Sequence, residues 1–580
     1  MAKKLNVEVS DYGFMDRMHG LPRSPVRKPW TSQIKNMGSS KVKTVLITAV
    51  LLCMAVEIQT QAGQFQELIF IDHQNLRYVE DSKITHFQIG EIKRNIDQAK
   101  KYGLEGYLLF AKETMEAMLT YDFEVQGIGN IGLQAFPPGS KHRREAERLR
   151  KAMREVLDYA NDKGIKMYFH SNQFIFSEEV LDVIKSVTWG TAVCPGREAT
   201  WAVYRGKIDE FFCLFPEIAG LQITGDETQV SVLKCQCERC RNMTFVERVN
   251  RLTNETADVA KKYNKQVQMR TWQRMGELGS PANMEQGVLD NVYFSIKNTN
   301  GDFRLPNGLD EEFLTAAVPK RLVVEFDAWR EYEGHNYFPC WMGEVWAPRF
   351  KFVAKRGIPR LGVRLMWNSN KNPIFDRPWG NFVNIYTFLK LAENPNRSAQ
   401  DILVQFVKEH YPPSAHQAAI ELYQYSMEFQ QIMYYCRGEY LANHSRVQDE
   451  DAEDNLEEIQ DDGFLKTTED FEARRRDINS AYEKAIGLVE QLGKDVPAEW
   501  IQGLKDGARV EHYVALATTD KMEAIFLQQS RKAGHTVAVS LQNLKERMDR
   551  RAQQWKTWHP DSFESMEGQE MFEPFKENRN

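Results

Sequence analysis

Between about residues 63 and 395 the chain alternates short apolar runs with helix-patterned stretches, and this alternation limits the fold more than any other feature. The runs are Leu68–Ile71, Tyr107–Ala111, Met167–His170, Leu221–Thr224, Val267–Arg270, Val292–Lys297, Leu322–Phe326 and Leu361–Trp367. Each is rich in Val, Ile, Leu or aromatic residues, as buried parallel strands are. Stretches such as Ile89–Lys101 and Lys141–Asn161 between them read as helices. Eight strands, each followed by a helix, close into a barrel. The expected fold is therefore α/β, a (β/α)8 TIM barrel over 63–395. After Asn394 strand signals stop. Helical periodicity, as in Ile402, Leu403, Phe406 and Val407, runs to about Trp555, so 396–580 is expected to be a mainly α-helical C-terminal domain. The acidic stretch Asp449–Asp462 within it reads as a solvated loop or helix face, and Ser562–Asn580 as a frayed end.

The N-terminal segment reads as a leader. An apolar run, Val45–Val56, follows Lys41 and Lys43 and is too short to span a bilayer comfortably. Thr60-Gln61-Ala62 then offers small residues for cleavage. Residues 1–62 are thus expected to be a leader with a signal peptide, and the protein to be secreted or periplasmic. Membrane contact is expected only if the leader stays as an uncleaved anchor. Leu52 before Cys53 does not suit a lipoprotein cleavage site.

The composition excludes some functions. Lys and Arg number 75 against 81 Asp and Glu, a net charge of −6, so there is no basic footprint for nucleic acid. There is no phosphate-cradling glycine loop, and no cofactor is expected. Cysteines number eight, too few for a disulfide scaffold in 580 residues. Three cluster as Cys235-x-Cys237-x-x-Cys240. That spacing suits a metal or a local disulfide. With three ligands and no evident His partner, a loop staple is the expected role, and no metal is assigned.

A barrel of this type carries its chemistry at the C-terminal ends of its strands. Strand three ends in His170. Strand four runs into Gly225-Asp226-Glu227. Strand five ends in Arg270, and strand six in Lys297 with Asp302 five residues on. Strand seven leads to Asp327 and Glu331, and strand eight ends in Trp367. Carboxylates, cations and an aromatic on one rim suit glycoside hydrolysis. One carboxylic acid protonates the leaving oxygen, and another carboxylate activates water or attacks the sugar. Taken singly, each has a blander role: an Asp such as Asp226 often caps a helix, and His170 could be a satisfied strand-end residue.

Several segments resemble glycoside hydrolase family 67, the α-glucuronidases of xylan-derived oligosaccharides. They are Asp209-Glu210 through Phe215-Pro216-Glu217-Ile218-Ala219-Gly220, Ile296-Lys297-Asn298 with Asp302-Phe303, and Glu331-Tyr332 with Gly334. Trp341 with Glu344, and Asn384-Ile385-Tyr386 through Pro395 and Ala399, continue the series in order. The resemblance spans roughly residues 65–410. It implies an oligosaccharide or polysaccharide substrate, Glu227 as general acid, and Asp302 and Glu331 as the pair that activates water. It further implies that Lys297 and Arg270 line a uronic acid pocket. Asp226, His170 and Trp367, by their place after strands four, three and eight, are expected to complete the substrate site. The sequence departs from the family where Gln222-Ile223-Thr224 stands in place of a Lys before the acid. Gly225-Asp226-Glu227 also resembles the Gly-Asp-Glu of β-hexosaminidases. A non-catalytic sugar-binding barrel is the third reading.

Overall fold

The computed structural model describes residues 65–558, except 74–77, 80–82, 85–88, 112–113, 174, 186–187, 190–191, 225–234, 236, 272–284, 286, 367–371, 443, 446–451 and 535–540. The leader with its apolar run, Asp226, Glu227, Trp367 and the segment Ser562–Asn580 therefore lie outside the described residues.

Eight parallel strands form a closed barrel. They are β1 (Glu67–Asp72), β2 (Gly106–Phe110), β3 (Lys166–Asn172), β4 (Gly220–Thr224), β5 (Gln266–Thr271), β6 (Val292–Lys297), β7 (Leu322–Asp327) and β8 (Arg360–Met366). Each pairs with its sequence neighbours, and β8 closes on β1 from Glu67↔Arg360 to Asp72↔Met366. The strands are those expected from the sequence, with ends displaced by at most two residues. Around them run α1 (Ile89–Lys101), α2 (Lys141–Lys163), α3 (Glu198–Leu214), α4 (Phe245–Lys262), α5 (Glu311–Ala316), α6 (Gly343–Lys355) and α7 (Phe382–Glu393). Local chemistry sets their ends. Ser140 caps α2, and Gly164, at φ 70°, closes it in the left-handed conformation that favours glycine. Thr244 and Glu247 form a capping box that starts α4.

The strands bury both faces, and period two decides which residue points where. One set packs against the helices: Phe70, Tyr107, Phe169, Leu221, Val267, Phe294, Val324 and Phe326 belong to the large core. The alternate set fills the lumen, where Ile69, Ile71, Leu108, Phe110, Tyr168 and Val323 form their own cluster. At the N-terminal end of the lumen, Glu67 accepts hydrogen bonds from Tyr168 Oη at 2.6 Å and Arg360 Nε at 3.2 Å. The charged lumen residues above the apolar cluster belong to the C-terminal mouth.

Beyond the barrel lie α8 (Ala399–His410), α9 (His416–Tyr434), α10 (Ala452–Asp461), α11 (Thr468–Gln491), α12 (Ala498–Lys532) and α13 (Leu541–Trp558). Tyr423, Phe429, Ala481 and Leu504 of this region share one core with the barrel's outer face, and the described residues form one compact unit. The acidic stretch folds largely as α10, which buries Leu456 and Ile459. Among the described residues no helix is long and apolar enough to cross a membrane.

Candidate active site

The lumen floor beneath the mouth is built on Glu325, whose side chain is 1% exposed. Its two oxygens accept Arg270 Nε, each at 3.0 Å. Oε1 also accepts Ser295 Oγ at 2.6 Å and Gln222 Nε2 at 3.3 Å. Burial opposes ionisation, but Arg270, Arg364 and the Ser295 hydroxyl outweigh it and hold the carboxyl below the ordinary Glu value. To one side His170, fully buried inside β3, stacks on Phe110 with ring centroids 3.5 Å apart and meets Thr224 Oγ1 at 2.9 Å. The Arg270 guanidinium lies 5.1 Å from the same Phe110 ring.

Two carboxylates sit at the rim, on the loops after β6 and β7. Lys297, the last residue of β6, contacts Asp302 Oδ1, while Tyr332 Oη donates to Asp302 Oδ2. A tight loop makes this return possible: Asn307 Nδ2 and the Arg304 backbone N–H both donate to the Asp302 carbonyl at 2.8 Å. Arg349 of α6 clamps the loop through the carbonyls of Asn298 and Asn307, at 2.9 and 2.8 Å. Burial and the like charge of Arg270 draw Lys297 well below the ordinary lysine value, while Glu331 and Glu325 pull the other way. Its ammonium form therefore depends on the carboxylates around it.

Glu331 is held from both ends of the sequence. Asp327, at the end of β7, accepts the backbone N–H groups of Arg330 at 3.1 Å and Glu331 at 2.7 Å, fixing the turn. Gly334 closes the turn at φ 86°, and a Cβ there would lie 2.0 Å from Glu511 Oε1, so only glycine fits. From the helical region Ser445 Oγ donates to the Glu331 carbonyl at 2.9 Å, and His444 Nδ1 lies 2.9 Å from Glu331 Oε1. Arg364 of β8 pairs with Glu331 Oε2. Burial again opposes ionisation, and Arg364, His444 and Lys297 overcome it, holding Glu331 well below the ordinary Glu value. Asp327 shows the opposite balance: burial raises it despite Arg364 and Arg330.

The structure thus brings Lys297, Asp302 and Glu331 together at the charged mouth, with Arg270 and His170 in the lumen below. Asp226, Glu227 and Trp367 are outside the described residues. Glu325, Arg364, Tyr332, Arg304, His444 and Ser445 also take part, none of them given a role from the sequence. Glu325 and Arg364 had a signal: each is the one charge within its apolar run, Leu322–Phe326 or Leu361–Trp367. His444 had none, because it reaches Glu331 across 113 positions of sequence.

No protein-family model and no curated protein matches the chain. Among solved structures the fold is similar to a glycoside hydrolase family 138 enzyme targeting pectin rhamnogalacturonan II. The TM-score is 0.54 at 10% identity, covering 86% of this chain and 77% of that one. An O-GlcNAc hydrolase from Thermobaculum terrenum matches at TM-score 0.41 and 12% identity, over 85% of this chain and 90% of that one. A β-N-acetylhexosaminidase from Bacteroides fragilis matches at TM-score 0.36 and 16% identity, over 57% and 66%. At 10% identity the likeness to the family 138 enzyme is one of fold.

Proposed function

We propose that the chain is a glycoside hydrolase that removes a terminal acidic sugar from an oligosaccharide or polysaccharide, with inversion. One observation carries this reading. Asp302 and Glu331, from adjacent loops of the mouth, are each oriented by a cation and a further hydrogen-bonding side chain: Lys297 and Tyr332 for one, Arg364 and His444 for the other. A carboxylate must be ionised to take a proton from water. Glu331 has that character, and Asp302 stands on the neighbouring loop to share the water. Glu227 follows β4 in the chain and is the residue we assign as the acid for the leaving oxygen. In an inverting enzyme the acid and base carboxyls stand about 6.5–9.5 Å apart, leaving room for the water.

The acidic group of the sugar is assigned to Arg304. Arg270 and Lys297, the cations implied by the family 67 resemblance, already face Glu325 and Asp302. Arg304 stands on the same loop as Asp302, its guanidinium 5.4 Å from the Tyr332 ring and 4.9 Å from the Tyr440 ring. Among the described residues its Nε has no hydrogen-bond partner. A substrate carboxylate gives such a guanidinium a bidentate partner. From the apolar run Val45–Val56 after Lys41 and Lys43 we also propose export to the periplasm or the outside of the cell, where polysaccharide is met.

The test is product analysis on glucuronic acid-bearing xylan fragments, rhamnogalacturonan II fragments and N-acetylhexosaminides, with proton NMR of the first sugar released. A free uronic acid of inverted anomeric configuration is expected. Release of N-acetylhexosamine alone would transfer the assignment to the hexosaminidase reading. A retained configuration would remove Asp302 and Glu331 from the role of base.

A further inference from the structure

We infer that Cys194, Cys235, Cys237 and Cys240 form a tetrathiolate site for one zinc-class metal ion, independent of the catalytic reading. The sequence shows three of these residues together. The fold adds Cys194, 43 positions before Cys237, and makes the set four. Their sulfur atoms all lie within 4.8 Å of one another, and all four residues are buried. Cys194 Sγ is 3.5 Å from Cys237 Sγ and 3.6 Å from Cys240 Sγ. Sulfurs at tetrahedral corners around zinc, about 2.3 Å from the metal, stand about 3.8 Å apart. A disulfide needs about 2.0 Å and joins only two of the four.

The backbone is arranged as a thiolate cradle. Cys240 N–H and Arg241 N–H both donate to the Cys237 carbonyl at 2.9 Å, making a tight turn that places Cys237 and Cys240 side by side. Arg248, buried on α4, donates through Nη1 to the Cys235 carbonyl at 2.8 Å and through Nη2 to that of Cys240. On the other side Thr200 Oγ1 donates to the Cys194 carbonyl at 2.8 Å. A Cβ on Gly196 would lie 2.8 Å from Arg239 Cβ, so the two loops meet as closely as backbone allows.

The site ties two connections together. Cys194 precedes α3, and Cys235–Cys240 lie in the connection from β4 to α4. Glu227 lies in that same connection, between Thr224 of β4 and Cys235. On binding, four thiols lose their protons to solvent as four metal–sulfur bonds form, with no change of oxidation state.

The test uses the full chain, expressed with zinc and purified without chelator. Elemental analysis should find one zinc or iron per chain. Replacing the metal with Co(II) should give the visible absorption of tetrahedral cobalt thiolate. Cys194→Ser and Cys237→Ser should lose the metal, while Cys213→Ser, exposed and outside the cluster, should keep it. Should the cluster variants fail to fold, intact mass of the unreduced wild type decides. Four free thiols with metal support the site. Chains lacking metal even after refolding with zinc, or carrying disulfides among these cysteines, would overturn it.

Discussion

Arg270→Met separates a cation that reads substrate from one that holds the barrel together. The guanidinium is 3% exposed and its partner Glu325 is 1% exposed. Removing it takes away both 3.0 Å contacts and leaves a buried carboxylate supported by Ser295, Gln222 and the more distant Arg364. Breaking one side of a buried pair costs about 3–5 kcal/mol. If the roughly 500-residue unit unfolds as one, its unfolding entropy is about 1.1 kcal/mol per kelvin. The melting temperature should then fall by about 3–5 °C in differential scanning calorimetry. The pH dependence gives a second reading. Glu325 sits below its ordinary value, so its stabilisation is present at neutral pH and is lost as pH falls through the folded-state value. Without Arg270 that value rises, and acid destabilisation should begin at higher pH. Adding Glu325→Gln should recover part of the lost stability, because no unpaired charge then remains. A single variant that melts within about 1 °C of the wild type, yet loses affinity for acidic substrate only, would refute this reasoning and make Arg270 a substrate residue.

Other variants address the chemistry directly. Asp302→Asn and Glu331→Gln should each lower kcat by about 10²–10⁴-fold in steady-state assays, the usual contribution of acid–base groups. His444→Gln weakens one of the supports that hold Glu331 low, so the acid limb of the kcat/KM profile should move to higher pH, with less loss at neutral pH. An unmoved limb would remove Glu331 as the titrating base. Arg304→Met should raise KM about tenfold or more for a uronide while leaving the matching neutral glycoside nearly unchanged, as expected for one charge-assisted contact. Equal losses on both would return Arg304 to a structural role against Tyr332 and Tyr440.

The sequence by itself determined the barrel. Strand and helix periods are local properties, readable within a few residues, and eight repeats of one unit leave few ways to bury both sheet faces. It also determined that Lys297, Asp302 and Glu331 stand at strand ends, because the C-terminal rim is a matter of chain order. Tertiary structure decided what those residues do to one another. Glu331 is ionised because Arg364 of β8 and His444 of the helical region reach it, and neither approach is encoded near residue 331. Arg270, a rim cation by chain order, proves to be a lumen residue facing Glu325, since alternate strand residues point to opposite faces and Val267 and Met269 take the outer one. The cysteines tell the same story: three are adjacent in sequence, but the fourth arrives only when the barrel brings the start of α3 against the β4–α4 connection. Local pattern fixes direction and spacing along the chain, while electrostatics and coordination depend on distances that only the closed barrel and its packed helices set.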